Sequence, residues 1–176
     1  MKPILRKRHL VWLLFFSLPL LLPSSQAIAG EERRNLEQEI PAVAERFIGV
    51  PCSFGKGHAE SGAVDNSHLF ALIYHEAATR AGLEFRGYMP MEELLGNTIR
   101  VERDDLRNGD LIVLENGHAA LIYKVESAEM FHMMYASLKR EQVISFNSQN
   151  VAFDAYWLPN LKGFFRLTDL MFHPHR

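Results

Sequence analysis

The spacing of apolar residues changes part-way along this chain, and that change restricts what it can fold into. Up to Leu95 the apolar positions recur at three and four residues; from Leu111 onward they come in short runs separated by turn residues. In the first half, Ile40, Val43, Ala44 and Phe47 hold a helical period, with Pro41 suited to a first helical turn and Gly49 and Pro51 ending the segment. A stronger helix is expected from Asn66, where Leu69, Leu72, Ile73, Ala77 and Ala81 form one stripe and Gly82 supplies a stop. Residues 90–95 have the length of a further short helix. The second half reads as strands at 111–114, 118–125, 130–136, 142–146 and 163–167. Helices first and antiparallel-looking strands afterwards define an α+β domain. Residues 31–39 read as a charged lead-in, and 52–62, rich in Gly and Ser, as a loop.

The N-terminal residues carry a different message. Lys2, Arg6, Lys7 and Arg8 precede an almost wholly apolar stretch at 10–22, and Ala27-Ile28-Ala29 supplies the small-x-small pattern of a cleavage site. The apolar stretch, interrupted by Ser17 and Pro19, is short for a membrane span. Residues 1–29 are therefore expected to be a signal peptide cleaved after Ala29, with an uncleaved anchor as the alternative, which places the protein in the periplasm or outside the cell. Of 19 Lys and Arg the leader holds four, and of 21 Asp and Glu none, so the remainder is acidic by six charges. That balance argues against a nucleic-acid binder, which needs a basic face. Cys52 is the one cysteine, so no internal disulfide can form. Eight histidines raise the question of a metal, but no helical His-x-x-x-His pattern is present, and neither a metal site nor a cofactor is expected.

Four segments carry the chemistry. They read Gly49-Val50-Pro51-Cys52-Ser53-Phe54-Gly55, then Val64-Asp65-Asn66-Ser67-His68, then Leu106-Arg107-Asn108-Gly109-Asp110-Leu111, then Gly117-His118-Ala119-Ala120-Leu121-Ile122-Tyr123. Together they resemble the NlpC/P60 cell-wall peptidases of the papain-like superfamily, whose corresponding segments read roughly G-x-P-Y-x-x-G-G, D-C-S-G, L-x-x-G-D-L and G-H-V-G-I-Y. The resemblance spans roughly residues 40–167 and implies a papain-like fold with N-terminal helices packed on an antiparallel sheet. It divides the chain into a leader (1–29), a lead-in (30–39), an NlpC/P60-like domain (40–170) and a tail (171–176), the tail expected to be frayed.

A cysteine peptidase needs a thiolate, a histidine to take its proton and a third group to orient that histidine. In the family the thiol opens the main helix, where unpaired amides and the dipole favour the anion. The resemblance puts that position at Asn66, between a retained Asp65 and a retained Ser67, with His68 in place of the usual glycine. The base falls on His118. The orienting histidine, often in H-A-S, falls on Tyr135 of Tyr135-Ala136-Ser137. Two of three members are thus replaced, and Asn66 is expected to act as a helix cap or as a pocket residue that hydrogen-bonds a ligand amide. His132 would replace the orienting histidine only through a bulge, since side chains three apart on a strand face opposite sides. Cys52, at the family's tyrosine position, is the alternative nucleophile. The expected ligand-binding set is Asp65, Asn66, Ser67, His68, His118, Tyr135 and Cys52, and the partners implied are a peptidoglycan stem peptide or an envelope protein. Three readings follow: an inactive binding module, a hydrolase using Cys52 with His118, and a structural domain whose groove is filled by Phe54, Tyr88 or Tyr135.

Overall fold

The computed structural model describes residues 25–52 and 65–174, with side chains from Gly30 onward. The expectations for residues 1–24 of the leader and for most of the 52–62 loop therefore lie outside the described residues, while the expected cleavage point after Ala29 falls within a described helix. Among the described residues no helix is long and apolar enough to cross a membrane.

Two helices and a six-stranded antiparallel sheet make the frame. Helix α1 spans Ser25–Glu45 and α2 Asn66–Arg80, followed by β1 (Leu83–Phe85), a short α3 (Met91–Gly96) and β2 (Thr98–Val101). Then come β3 (Asp110–Leu114), β4 (Ala119–Val125), β5 (Phe131–Ser137), β6 (Gln142–Asn147), a π-helical turn at Phe153–Trp157, β7 (Leu161–Leu167) and β8 (Phe172–Pro174). The sheet order is β2-β7-β3-β4-β5-β6, all neighbours antiparallel, with β1 and β8 pairing separately. The α+β architecture read from the change of period is the one found.

Both faces of the sheet are covered, which is why β3 is buried at every position and β4 is apolar and buried from Ala119 to Tyr123. On one face Leu111, Val113, Leu121, Met134 and Ala136 meet Ile40 and Val43 of α1 and Leu69, Phe70 and Ile73 of α2. On the other, Ile112, Leu114, Ala120, Ile122 and Met133 pack with Phe131, Phe153, Trp157 and Phe164.

Several sequence expectations are corrected. The stripe of α2 is Leu69, Phe70, Ile73, Tyr74, Ala77 and Ala78; Leu72 is 41 % exposed, because the helix is gripped by α1, β1 and the sheet together and its buried arc is rotated from the expected one. The supposed lead-in 30–39 is helix, since Leu36 continues the series Ile40, Val43, Ala44 one turn upstream and is as buried as they are. Pro41 consequently lies inside α1 rather than in its first turn. The tail is ordered through Pro174: β8 pairs with β1, and Phe172 packs against Tyr74 and Phe85 under the Arg33 guanidinium. Strands β1, β2 and β8, three or four residues long, were too short to show a period.

An internal proline removes one helical N–H, leaving the Glu37 carbonyl without its partner. Asn108 supplies the missing donor: its Nδ2 donates to Glu37 O at 2.9 Å, while its Oδ1 accepts from Val125 N at 2.8 Å. One carboxamide thereby ties the proline site of α1 to the end of β4. Asn108→Asp keeps the shape but sets an oxygen against the Glu37 carbonyl, and it is expected to lower unfolding stability by about 1–3 kcal/mol in urea titration; an unchanged midpoint would show that the bridge contributes nothing.

The neighbouring Gly109-Asp110 is equally constrained. Gly109 has φ +94°, and a Cβ there would collide with Ile40 Cδ1. Its carbonyl accepts from the buried Tyr74 hydroxyl at 2.7 Å, which fixes α2 against the start of β3.

Candidate functional site

The N-terminus of α2 points at the sheet where β4 and β5 part. Asp65, not Asn66, caps this helix: its backbone is extended and its Oδ1 accepts from His68 N and Ser67 Oγ, both at 2.9 Å, and meets His68 Nδ1 at 3.1 Å. Burial alone would raise this carboxyl, but those bonds outweigh it and hold Asp65 below the ordinary aspartate value. The expected cap role of Asn66 is thus corrected by one residue. A cap needs extended backbone, which Asp65 has, whereas Asn66 is already the first helical residue.

Asn66 does something else. It is 8 % exposed; its Oδ1 accepts from Ala136 N at 2.7 Å and its Nδ2 donates to Ala119 O at 3.3 Å. The β4–β5 pairing includes Ile122↔Met133 and Leu121↔Met134, a register that would next bring Ala119 opposite Ala136. On the far side of β5, the N–H and C=O of Val143, paired with Ala136, turn outward to Val50 and Gly49. The polar groups of Ala136 therefore face β4. Where the strands part, the Asn66 carboxamide is inserted like an extra peptide unit, one end on each strand.

His118 immediately precedes β4, after a turn in which Asn116 Oδ1 accepts the His118 N–H at 3.0 Å. Its ring meets Tyr135 edge-on at 5.1 Å and Trp157 at 5.3 Å, and Trp157 also meets Tyr135 at 5.5 Å. Burial lowers the affinity of His118 for a proton and so favours the neutral imidazole. Among the described residues no group hydrogen-bonds its ring nitrogens. Burial also pushes the Tyr135 phenol upward, opposed by the Ser137 hydroxyl. Trp157 is a site residue that sequence reasoning did not place; Tyr156-Trp157 stood out only as a match to the family's closing segment.

Asp65, Asn66, Ser67 and His118 line one open cleft of about 200 Å³, with Met91 of α3 on its wall. Four of the seven expected ligand-binding residues thus come together. Tyr135 stands behind His118 and opens instead onto a neighbouring hollow with Lys139 and Arg140. His68 is turned to Asp65 and stacks on Tyr88, ring centroids 4.0 Å apart. Cys52 is 6 % exposed in the helix-side core, its Sγ donating to Ser137 O at 3.3 Å. Burial, then the Glu141 carboxylate, raises its thiol above the ordinary value, the opposite of what a nucleophile needs. His132 and Tyr135 face opposite sides of β5: His132 lies by Tyr123 and bonds Glu126 at 3.2 Å. No cluster of three or more metal-ligating side chains exists among the described residues.

No protein-family model matches the sequence, and no curated protein matches it either. Solved structures do match in shape. One, described as similar to a lipoprotein of the NLP/P60 family, from Staphylococcus aureus subsp. aureus Mu50, superposes with a TM-score of 0.52 at 19 % identity, covering 75 % of this chain and 41 % of that one. Another, an NlpC/P60 family protein from Bacillus cereus ATCC 10987, gives 0.52 at 16 % identity, over 74 % of this chain and 39 % of that one. The chain has the NlpC/P60 fold. It spans about two-fifths of the length of these solved proteins.

Proposed function

We propose that this protein is an exported NlpC/P60-like module that binds a peptide without cleaving it, a peptidoglycan stem peptide in the bacterial envelope being the ligand class. The observation that carries this reading is Asn66. A carboxamide has no usable nucleophile at neutral pH, and here each end of it is already held by a backbone group of the sheet. Beside it an open cleft retains Asp65, Ser67 and a neutral His118, which offers both a donor and an acceptor to a peptide. Binding groups survive where acyl transfer has lost its sulfur.

The hydrolase alternative requires Cys52 to act with His118. The buried, proton-retaining state of that thiol and its absence from the cleft count against it. The purely structural alternative counts for less because the cleft beside Asn66 is open.

The test incubates the protein, Cys52→Ala, Asn66→Cys and His118→Ala with peptidoglycan fragments. No cleavage by the first two is expected, together with saturable binding of a stem tetrapeptide that weakens about tenfold, or 1.4 kcal/mol, in His118→Ala. Cleavage by the native chain that disappears in Cys52→Ala would overturn the proposal, as would absence of any binding.

A further inference from the structure

A second and larger hollow lies where the start of α1 meets β7 and the turn after it. It measures about 760 Å³ and shares no lining residue with the Asn66–His118 cleft. Arg33, Arg34, Arg107 and Arg166 converge on it, with Thr168 and Asp169. Four guanidiniums at one concavity repel one another unless anions offset them. Arg166 is held by Asp110 at 2.8 Å, and Arg33 and Arg107 share Glu37 at 3.6 and 3.5 Å. Arg33 also lies 3.6 Å from the largely exposed Asp169. Arg34 has no carboxylate within ion-pair distance among the described residues; its Nε donates to Gly30 O at 3.1 Å. Asp110, with Asp105 nearby, offsets Arg166, and Glu37 and Asp169 offset Arg33 and Arg107, which leaves Arg34 as the guanidinium without a carboxylate partner among the described residues.

The second observation concerns hydrogen bonding. Thr168 Oγ1 is buried without a hydrogen-bond partner, and so is Arg33 Nη1, whose nearest carboxylate, Asp169, lies at 3.6 Å, beyond hydrogen-bond reach. Such groups are uncommon in folded proteins, because lost hydration is not compensated. Both belong to side chains that line this hollow.

We propose that the hollow is a binding site for a phosphoryl oxyanion. Arg33 and Thr168 form its floor and the exposed Arg34 and Arg107 its mouth, with Arg166 held in place by Asp110. A planar carboxylate is satisfied by one guanidinium fork, whereas donors from three separate segments suit a tetrahedral group with several oxygens. The phosphoryl group belongs either to a soluble ligand or to a lipid headgroup, and the two arms of the test separate these sources.

The full chain is titrated calorimetrically with inorganic phosphate and with pyrophosphate at constant ionic strength. It is also sedimented with vesicles of phosphatidylglycerol or of phosphatidylcholine. Arg34→Gln/Arg107→Gln changes only exposed side chains, and Arg86→Gln, exposed and outside the hollow, is the control. Saturable binding at least tenfold weaker in the double variant and unchanged in the control is expected. Where it is seen with the soluble anions, the ligand is soluble; where it is seen only as a preference for phosphatidylglycerol that the double variant loses, the ligand is a headgroup. Absence of saturable binding together with no vesicle preference, or equal weakening by Arg86→Gln, overturns the proposal.

Discussion

Replacing Asp110 by alanine is expected to lower unfolding stability by about 3–5 kcal/mol, the usual result of removing one partner from a buried ion pair. Asp110 is 1 % exposed and grips Arg166 with both oxygens at 2.8 Å, while its Oδ2 also accepts from Arg107 N at 2.8 Å. The alanine variant leaves a guanidinium that is itself mostly buried, with Asp105 O, at 2.6 Å, as its remaining bond. It also opens the turn that presents Gly109 to Tyr74. For a chain of this size the loss corresponds to a melting temperature lower by roughly 6–20 °C. Asp110→Leu combined with Arg166→Met is expected to recover much of the loss, because burying two apolar side chains avoids the desolvation that the ion pair requires. Urea unfolding of the single and double variants forms the cycle. A single-variant loss under about 1 kcal/mol would mean that Arg166 simply relaxes to solvent.

This clamp also illustrates what the sequence made legible. The Leu-x-x-Gly-Asp-Leu segment was visible as a family motif, but nothing in it announced that its aspartate pairs with an arginine 56 positions on. Its asparagine likewise gave no sign that it replaces the hydrogen bond that Pro41 removes from α1. Both are long-range polar contacts, and period and propensity report only local preference. The large elements were legible for the converse reason. The runs in β3 to β7 and the stripe of α2 are long enough to show their period, although Tyr74 was missed because the buried arc of α2 is wider than a single stripe. The helical state of 30–39 was hidden by charge: Arg33, Arg34 and Glu37 are helix formers, and Leu36 as a lone apolar residue did not look like a core position. At the site, residue identities could be carried across from the family, but Trp157 could not. It reaches His118 from an element far along the chain, and only the tertiary fold puts the two rings 5.3 Å apart.

Asn66→Ala is expected to cost about 2–4 kcal/mol, because it strips hydrogen bonds from two backbone groups that are both buried, Ala136 N and Ala119 O, each worth about 1–3 kcal/mol when left unsatisfied. The loss shrinks if β4 and β5 can close, since the register already sets Ala119 opposite Ala136 and a direct strand bond could replace the carboxamide. Hydrogen exchange separates the two outcomes. An unprotected Ala136 amide accompanies the full loss, and a protected one accompanies a loss below about 1 kcal/mol. Asn66→Cys follows the same logic, because a thiol is a weak donor and a weak acceptor and cannot span both strands. A thiol at position 66 should therefore destabilise this particular scaffold, and it would stand beside a His118 whose ring nitrogens no described residue hydrogen-bonds. An Asn66→Cys variant as stable as the native chain, with its Ala136 amide still unprotected, would show that the parted strands hold themselves open. In that case Asn66 would be a passive replacement, and the cleft geometry would owe nothing to it. A loss of the size expected would mean that Asn66 is the splint that shapes the cleft, so that a sulfur atom placed there would lose the geometry around it.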